Sequence, residues 1–484
     1  MMTFWLASVA FGLGLFILWF RELFFLPLFL VTAHLAILAA FVGAARSWRD
    51  AFNPLCVILA IGFVRFDLPG LMLMWGADPQ SEFLLAMRLS ATDWQLGHVL
   101  ALTGLLGIVL GWVMAPGRSG RMTALEFGLS RGAGYAAVAA MTVGFAALLM
   151  FVGSNTSIVD TLVSGGFRGT TVQVGTGKFF FLSFLLISGS VVLSGFLLPK
   201  RSGFKWTFLV PVILAMLSFW GLGGRGRAIV PLLAGLLLLW YFRREQKRWD
   251  RLSLRFVSLV VVVAVPLFIW TGYFGELYRG GLGLGGFLES FSLPGLRRYV
   301  QESIFLDIGH LHPLAGAVVL EPGLLAGTTF VHRLLWPLSQ ILELSGRSSG
   351  IVVVERLVGL GRQRWGLGIS LMGDAYVNFG VPGIPIVMGL FGLLVKMLYV
   401  GFRRGSIHSA VYVLAAIHSA GMLINGIDLW IYALIILAST LFVISMGRLL
   451  THKGPVRGYA GSGNYAPGDQ RRILQDALDN GRVG

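Results

Sequence analysis

The chain has 484 residues, of which 56% are hydrophobic and only 12% charged, with a mean hydropathy of +0.80 and a formal net charge of +16. A soluble protein of this length is excluded by that balance, and an all-α polytopic membrane protein is predicted. The positive charge is explained by Lys and Arg that hold cytoplasmic loops in place, so no nucleic-acid partner is expected.

Twelve apolar runs reach the roughly 20 residues that a membrane-crossing helix requires. They centre on residues 4–20, 23–45, 54–75, 95–115, 133–153, 178–198, 206–222, 227–242, 256–274, 376–400, 407–425 and 429–447. The first has no basic segment before it and no small-residue cleavage site, so it is expected to be an uncleaved span. Arg65, Asp67, Pro69 and Gly70 interrupt the third, which also contains the single cysteine, Cys56. One thiol permits no internal disulfide.

Orientation follows from the loops. "RSWRD", "PGRSGRMTALEFGLSR", "PKRSGFK", "YFRREQKRWDRLSLR" and "GFRRG" alternate with loops poorer in Lys and Arg, which places them in the cytoplasm with both termini. Residues 1–450 then form the membrane domain, 275–373 its one long external loop, and 451–484 a polar, Gly-rich cytoplasmic tail.

Arginines recur among glycines on the external face. Arg168 lies in "GGFRGTT", Arg225 and Arg227 in "GLGGRGRAIVPLL", and Arg279 with Glu276 in "GELYRGGLGLGG". In the second stretch glycines free the backbone, a helix starts at once, and its N-terminal N–H groups join two guanidinium groups. Such a convergence suits phosphate. Helix capping or snorkelling would account for any one of these arginines alone.

The long loop carries eight Arg and Lys against seven Asp and Glu, so it is not a polybasic lipid-binding patch. "RRYVQESIFLDIGHLHPLAG" reads as an amphipathic helix followed by a turn, and "TTFVHRLLWPLSQILEL" as an interfacial or re-entrant helix. Asp307 and His310 are three apart and can share a helical face, the arrangement by which a carboxylate orients an imidazole. With His312 they spell D-x-x-H-x-H, but a fourth metal ligand is missing. A structural polar cluster explains them equally well. The loop ends in "SLMGDAYVNFGVPGIPIVMG", where Asp374 stands at the outer start of a helix, a position suited either to capping or to a general base.

"GDAYVNFGVPGIPIVMGLFGLLV" resembles the acid-x-Tyr-x-Asn-Phe-Gly-x-x-Gly signature of Wzy-type O-antigen polymerases, which join lipid-linked oligosaccharide repeat units. The arginine hairpin, the "FRG" loop and "LDIGHLHPLAGAVV…GTTFVHRLLWPLSQ" are similar in order and placement, over roughly residues 130–400. The resemblance implies a metal-independent, cofactor-free glycosyltransferase related to the GT-C fold in the bacterial inner membrane, with its active site facing the periplasm. It would transfer a growing glycan from undecaprenyl pyrophosphate to the acceptor sugar of a second lipid-linked repeat unit, and a chain-length regulator is a candidate partner.

Under that resemblance Arg225 and Arg227 hold one pyrophosphate, Arg168 and Arg279 form the opposite side of the cleft or the acceptor's anion site, and Tyr376 and Asn378 contact sugar. Arg333 in "HRLLWPL" is the candidate counterpart of an arginine that many members carry after a proline absent here. Asp374 is the first choice of base, His310 held by Asp307 the second, and Glu276 the third. Two alternatives stay open: an O-antigen ligase acting on the same donor, and a transporter or flippase of an anionic lipid or polysaccharide. Arg65 and Asp67, the main charges at mid-membrane depth, are what a transporter would use.

Overall fold

The computed structural model describes residues 2–44, 53–76, 88–116, 131–155, 292–297, 310–320, 323–334, 349–358 and 369–402. Single positions between 179 and 190, at 300, and between 423 and 445 are also described. All regular elements among these residues are helical. They are α1 (Met2–Phe20), α2 (Leu26–Ala44, entered through a 3₁₀ turn at Leu23–Phe25), α3 (Pro54–Gly62), α4 (Leu68–Met74), α5 (Ala91–Met114), α6 (Arg131–Asn155), α7 (His312–Val319), α8 (Thr328–Leu334), α9 (Ser349–Val358), α10 (Leu371–Phe379) and α11 (Gly383–Phe402).

Among the described residues four segments are long and apolar enough to cross a membrane: Met2–Phe20, Leu23–Ala44, Pro54–Met74 and Ala91–Met114. Shorter apolar helices occupy Val138–Phe151 and Gly383–Met397. The chain is therefore a helical protein of membrane-spanning character. Trp19, Phe20, Phe24 and Trp75 are exposed together where α1, α2 and α4 end, the belt expected where helices leave hydrocarbon. Leu28, Val31, Leu35, Leu38 and Val42 are exposed along α2, as on a lipid-facing surface.

Burial orders the bundle. In α5 83% of the apolar window is inside the protein, against 28% for α1, so α5 is central and α1 peripheral. Helices come close to α5 because glycines leave room. A Cβ on Gly392 would lie 2.9 Å from the Ile108 carbonyl carbon, and one on Gly111 would meet the backbone of Gly389. Without a strong hydrophobic drive between helices in lipid, such backbone approach is what gives α5 and α11 their packing energy.

The interruption in the third apolar run does not end the helix. Pro69 has no N–H to donate to the Arg65 carbonyl four residues back, so the helix widens to a π turn over Phe63–Asp67, with the Leu68 N–H donating to the Phe63 carbonyl. The Arg65 carbonyl is taken instead by the backbone N–H of His310, at 2.6 Å. A peptide group freed by proline inside the bundle thus docks the segment ahead of α7.

α7 is buried from His312 through Val318. A Cβ on Gly97 of α5 would lie 2.7 Å from the Ala315 nitrogen and 2.8 Å from its Cα, so the two backbones are in contact. Arg21, with φ of 56° in the turn between α1 and α2, reaches across to donate from Nη2 to the Val318 carbonyl at 3.0 Å. Part of the long loop is therefore core. His310 itself precedes the helix, and Asp307, with which it was expected to share a helical face, lies outside the described residues.

The apolar run at 376–400 also departs from expectation. It is broken at Gly380, whose φ of 68° and ψ of −161° no β-carbon tolerates well, and the long helix starts at Gly383. Pro382 just beyond cannot continue the preceding helix. Apart from single positions, the expected spans beyond residue 190, other than this one, lie outside the described residues.

Candidate functional site

The break between α10 and α11 gathers buried polar groups. Ser370 caps α10, its hydroxyl accepting from the Gly373 N–H at 3.2 Å, while the Asp374 N–H donates to the Ser370 carbonyl at 2.9 Å. At the other end are the carbonyls of Tyr376, Val377 and Asn378, of which the first takes the Gly380 N–H at 2.8 Å and the other two are left without a helical partner by the break. The three accept N–H groups of Gly323, Leu325 and Gly327 at 3.1, 3.1 and 3.0 Å. In a lipid-embedded protein an irregular backbone is tolerated only when it is satisfied in this way.

Asp374 is 3% exposed, and with Asp67 it is one of two buried carboxylates among the described residues. Asn378, one turn on, donates from Nδ2 to the Asp374 carbonyl at 2.9 Å and accepts from the Thr329 hydroxyl, also at 2.9 Å, which pins α8 to α10. Gly426 closes over the carboxylate. With φ of 76°, it has no room for a Cβ, which would strike Asp374 Oδ2 and lie 2.5 Å from the Ile369 carbonyl oxygen.

Tyr376 is fully buried, and its hydroxyl makes no hydrogen bond of good geometry. The Arg21 guanidinium is the cation beside it. The structure thus brings Asp374, Tyr376 and Asn378 together on α10. It places Arg333 in α8, which packs on α10. His310 is joined instead to the π turn, where its ring lies 6.5 Å from that of Phe66 and 5.6 Å from that of His312. Asp307, Glu276, Arg168, Arg225, Arg227 and Arg279 lie outside the described residues.

A second polar centre sits at the π turn. Asp67, 2% exposed, receives Nε2 of His98 at 2.7 Å from Oδ1 and Nε2 of His34 at 2.9 Å from Oδ2. His98 stacks over Gly70, whose missing side chain leaves the ring its space. Asp67 is seven residues short of the end of α4, so the cluster lies about 10 Å inside the helical end at 1.5 Å per residue. Ionisable groups at such depth are costly and pair with one another. Among the described residues no group of three or more His, Cys, Asp and Glu is arranged to hold a metal ion.

Arg21, His34, His98, Thr329 and Gly426 were missed by sequence reasoning. His34 and His98 had one signal, a lone imidazole in an apolar run. Comparisons with protein-family models, curated proteins and solved structures find no match for this chain.

Proposed function

We propose that this chain is an O-antigen polymerase of the Wzy type: a twelve-span, GT-C-related inner-membrane glycosyltransferase that elongates lipid-linked glycans at the periplasmic face. The observation that carries the reading is the buried carboxylate of Asp374 at a helix break, within "GDAYVNFG" and fastened to Asn378 and Thr329. In the reaction an acceptor hydroxyl attacks the anomeric carbon of the donor glycan. The bond from that carbon to phosphate breaks, and the pyrophosphate departs with the electron pair. Asp374 is assigned the acceptor proton. Arg225 and Arg227, with Arg168, Arg279 and Arg333 as further cations, are assigned the charge that develops on the pyrophosphate.

The test is conversion of purified lipid-linked repeat unit into a ladder of polymer by the purified protein with EDTA present. The expected result is a ladder from wild type and none from Asp374→Asn at equal protein in the membrane. A normal ladder from Asp374→Asn refutes the role of the carboxylate, and no ladder from wild type with authentic substrate refutes the polymerase.

A second reading has one observation in its favour. The His34–Asp67–His98 cluster at membrane depth is what an ion-coupled transporter of an anionic lipid or polysaccharide would contain. Translocation of lipid-linked glycan in proteoliposomes, without elongation, would decide for it.

A further inference from the structure

The Asp67 cluster can be counted hydrogen by hydrogen from its heavy atoms. His34 Nδ1 lies 2.6 Å from the Leu30 carbonyl oxygen, which can only accept, so that nitrogen carries a hydrogen. His34 Nε2 lies 2.9 Å from Asp67 Oδ2, and His98 Nε2 lies 2.7 Å from Oδ1. Each contact needs one hydrogen of its own, because two lone pairs facing each other at these distances repel. Three contacts therefore require three hydrogens. Two neutral imidazoles and a carboxylate supply two. The third is an added proton, and whether it rests on His34 or on Asp67 the cluster is neutral with it and carries one negative charge without it.

We propose that His34, Asp67 and His98 form a binding site for a single exchangeable proton, distinct from the Asp374 site and reached from the side of α2. The side chains of Asp67 and His98 are 3% exposed and that of His34, on α2 between the lipid-facing Val31 and Leu38, is 35% exposed, so His34 is the member through which the proton leaves. Release takes the proton from the His34–Asp67 contact through His34 to a base outside the bundle and leaves two acceptors facing each other in a bundle that disfavours the resulting charge. The contact must then open, which loosens α2 from the π turn. Among the described residues the charged and titratable groups on the elements packed around the cluster are Arg65 in the same turn, Cys56 on α3, Asp93 and His98 on α5, Lys396 and Tyr399 on α11, and His310 and His312 at the start of α7. α1 carries none, and α2 carries His34 alone. Lys396 is committed at the other end of α5, donating to the Ala115 carbonyl at 2.7 Å.

The site is independent of the polymerase reading, and its test uses no glycan. Full-length protein labelled with 15N-histidine, in lipid nanodiscs, gives ring-nitrogen spectra in which His34→Gln identifies the His34 signals. At neutral pH both His34 nitrogens should be bonded to hydrogen or share one with Asp67. Raising the pH should remove one proton per protein, altering His34 and His98 together. In Asp67→Asn the carboxamide donates to His34 and accepts from His98, so the contacts survive without the added proton. His34 should then hold hydrogen on Nδ1 only, and the coupled titration should vanish. A bare His34 Nδ1 in the wild type at neutral pH, or a titration unchanged by Asp67→Asn, overturns the proposal. Should the variant fail to fold, the wild-type spectrum decides alone.

Discussion

Replacing Gly97 by Ala tests whether the buried seat of α7 is set by backbone contact with α5. The added Cβ would lie 2.7 Å from the Ala315 nitrogen, 2.8 Å from its Cα and 3.1 Å from its Cβ. The first is about 0.7 Å short of ordinary contact, and its neighbours are backbone, so one helix must shift. Overpacking of this kind costs about 1–3 kcal/mol, while Ala in place of a helical Gly returns roughly 0.5–1 kcal/mol. The expected net loss is about 1–2 kcal/mol. Gly12 on α1 is the control, because nothing lies within 4 Å of the Cβ it would acquire. Gly12→Ala should be neutral or stabilising by up to about 1 kcal/mol. Reversible unfolding of both variants in mixed micelles measures the difference. If Gly97→Ala is as stable as Gly12→Ala, α7 is not seated against α5.

Gly426→Ala should be worse, since it combines a left-handed backbone with collision against Asp374 and the Ile369 carbonyl. A loss above about 2 kcal/mol is expected in the same unfolding assay. Thr329→Val removes the donor to the buried Asn378 Oδ1 and should cost about 1–3 kcal/mol, and the double variant with Asn378→Leu should recover part of that because no acceptor is left unpaired.

Hydropathy marks α1, α2, the Pro54–Met74 run and α5 to within a few residues, because a span is a property of composition. It does not mark the break at Gly380, since "NFGVPGIP" is apolar on both sides; the signals there were Gly380, Pro382 and Gly383, and they lost to the run's overall hydropathy. α7 was hidden for the opposite reason. Averaged over 275–373, charge is balanced and the segment reads as an exposed loop, whereas "LHPLAGAVVL" within it is apolar enough to be core. The Asp67 cluster joins residues 33 and 31 apart in the chain, so periodicity cannot find it. Pro69 read as an interruption, and only the structure shows that it frees the carbonyl to which His310 binds. The carboxylate at Asp374 was legible as a candidate because it opens a helix, but its cover by Gly426 depends on a distant turn.

The seating of α7 bears on how the protein is made. Its partners come from both ends of the chain: Arg21 and Gly97 are synthesised before it, α10 long after. Until translation has passed Asn378, the carbonyls that receive Gly323, Leu325 and Gly327 do not exist, and the groove offered by the early helices is closed on one side only. The docking of Gly323, Leu325 and Gly327 on α10 is therefore completed only after the chain has run on past Asn378. A truncation ahead of Phe379 would leave that docking permanently incomplete, and such nascent chains are the natural targets of membrane-protein quality control.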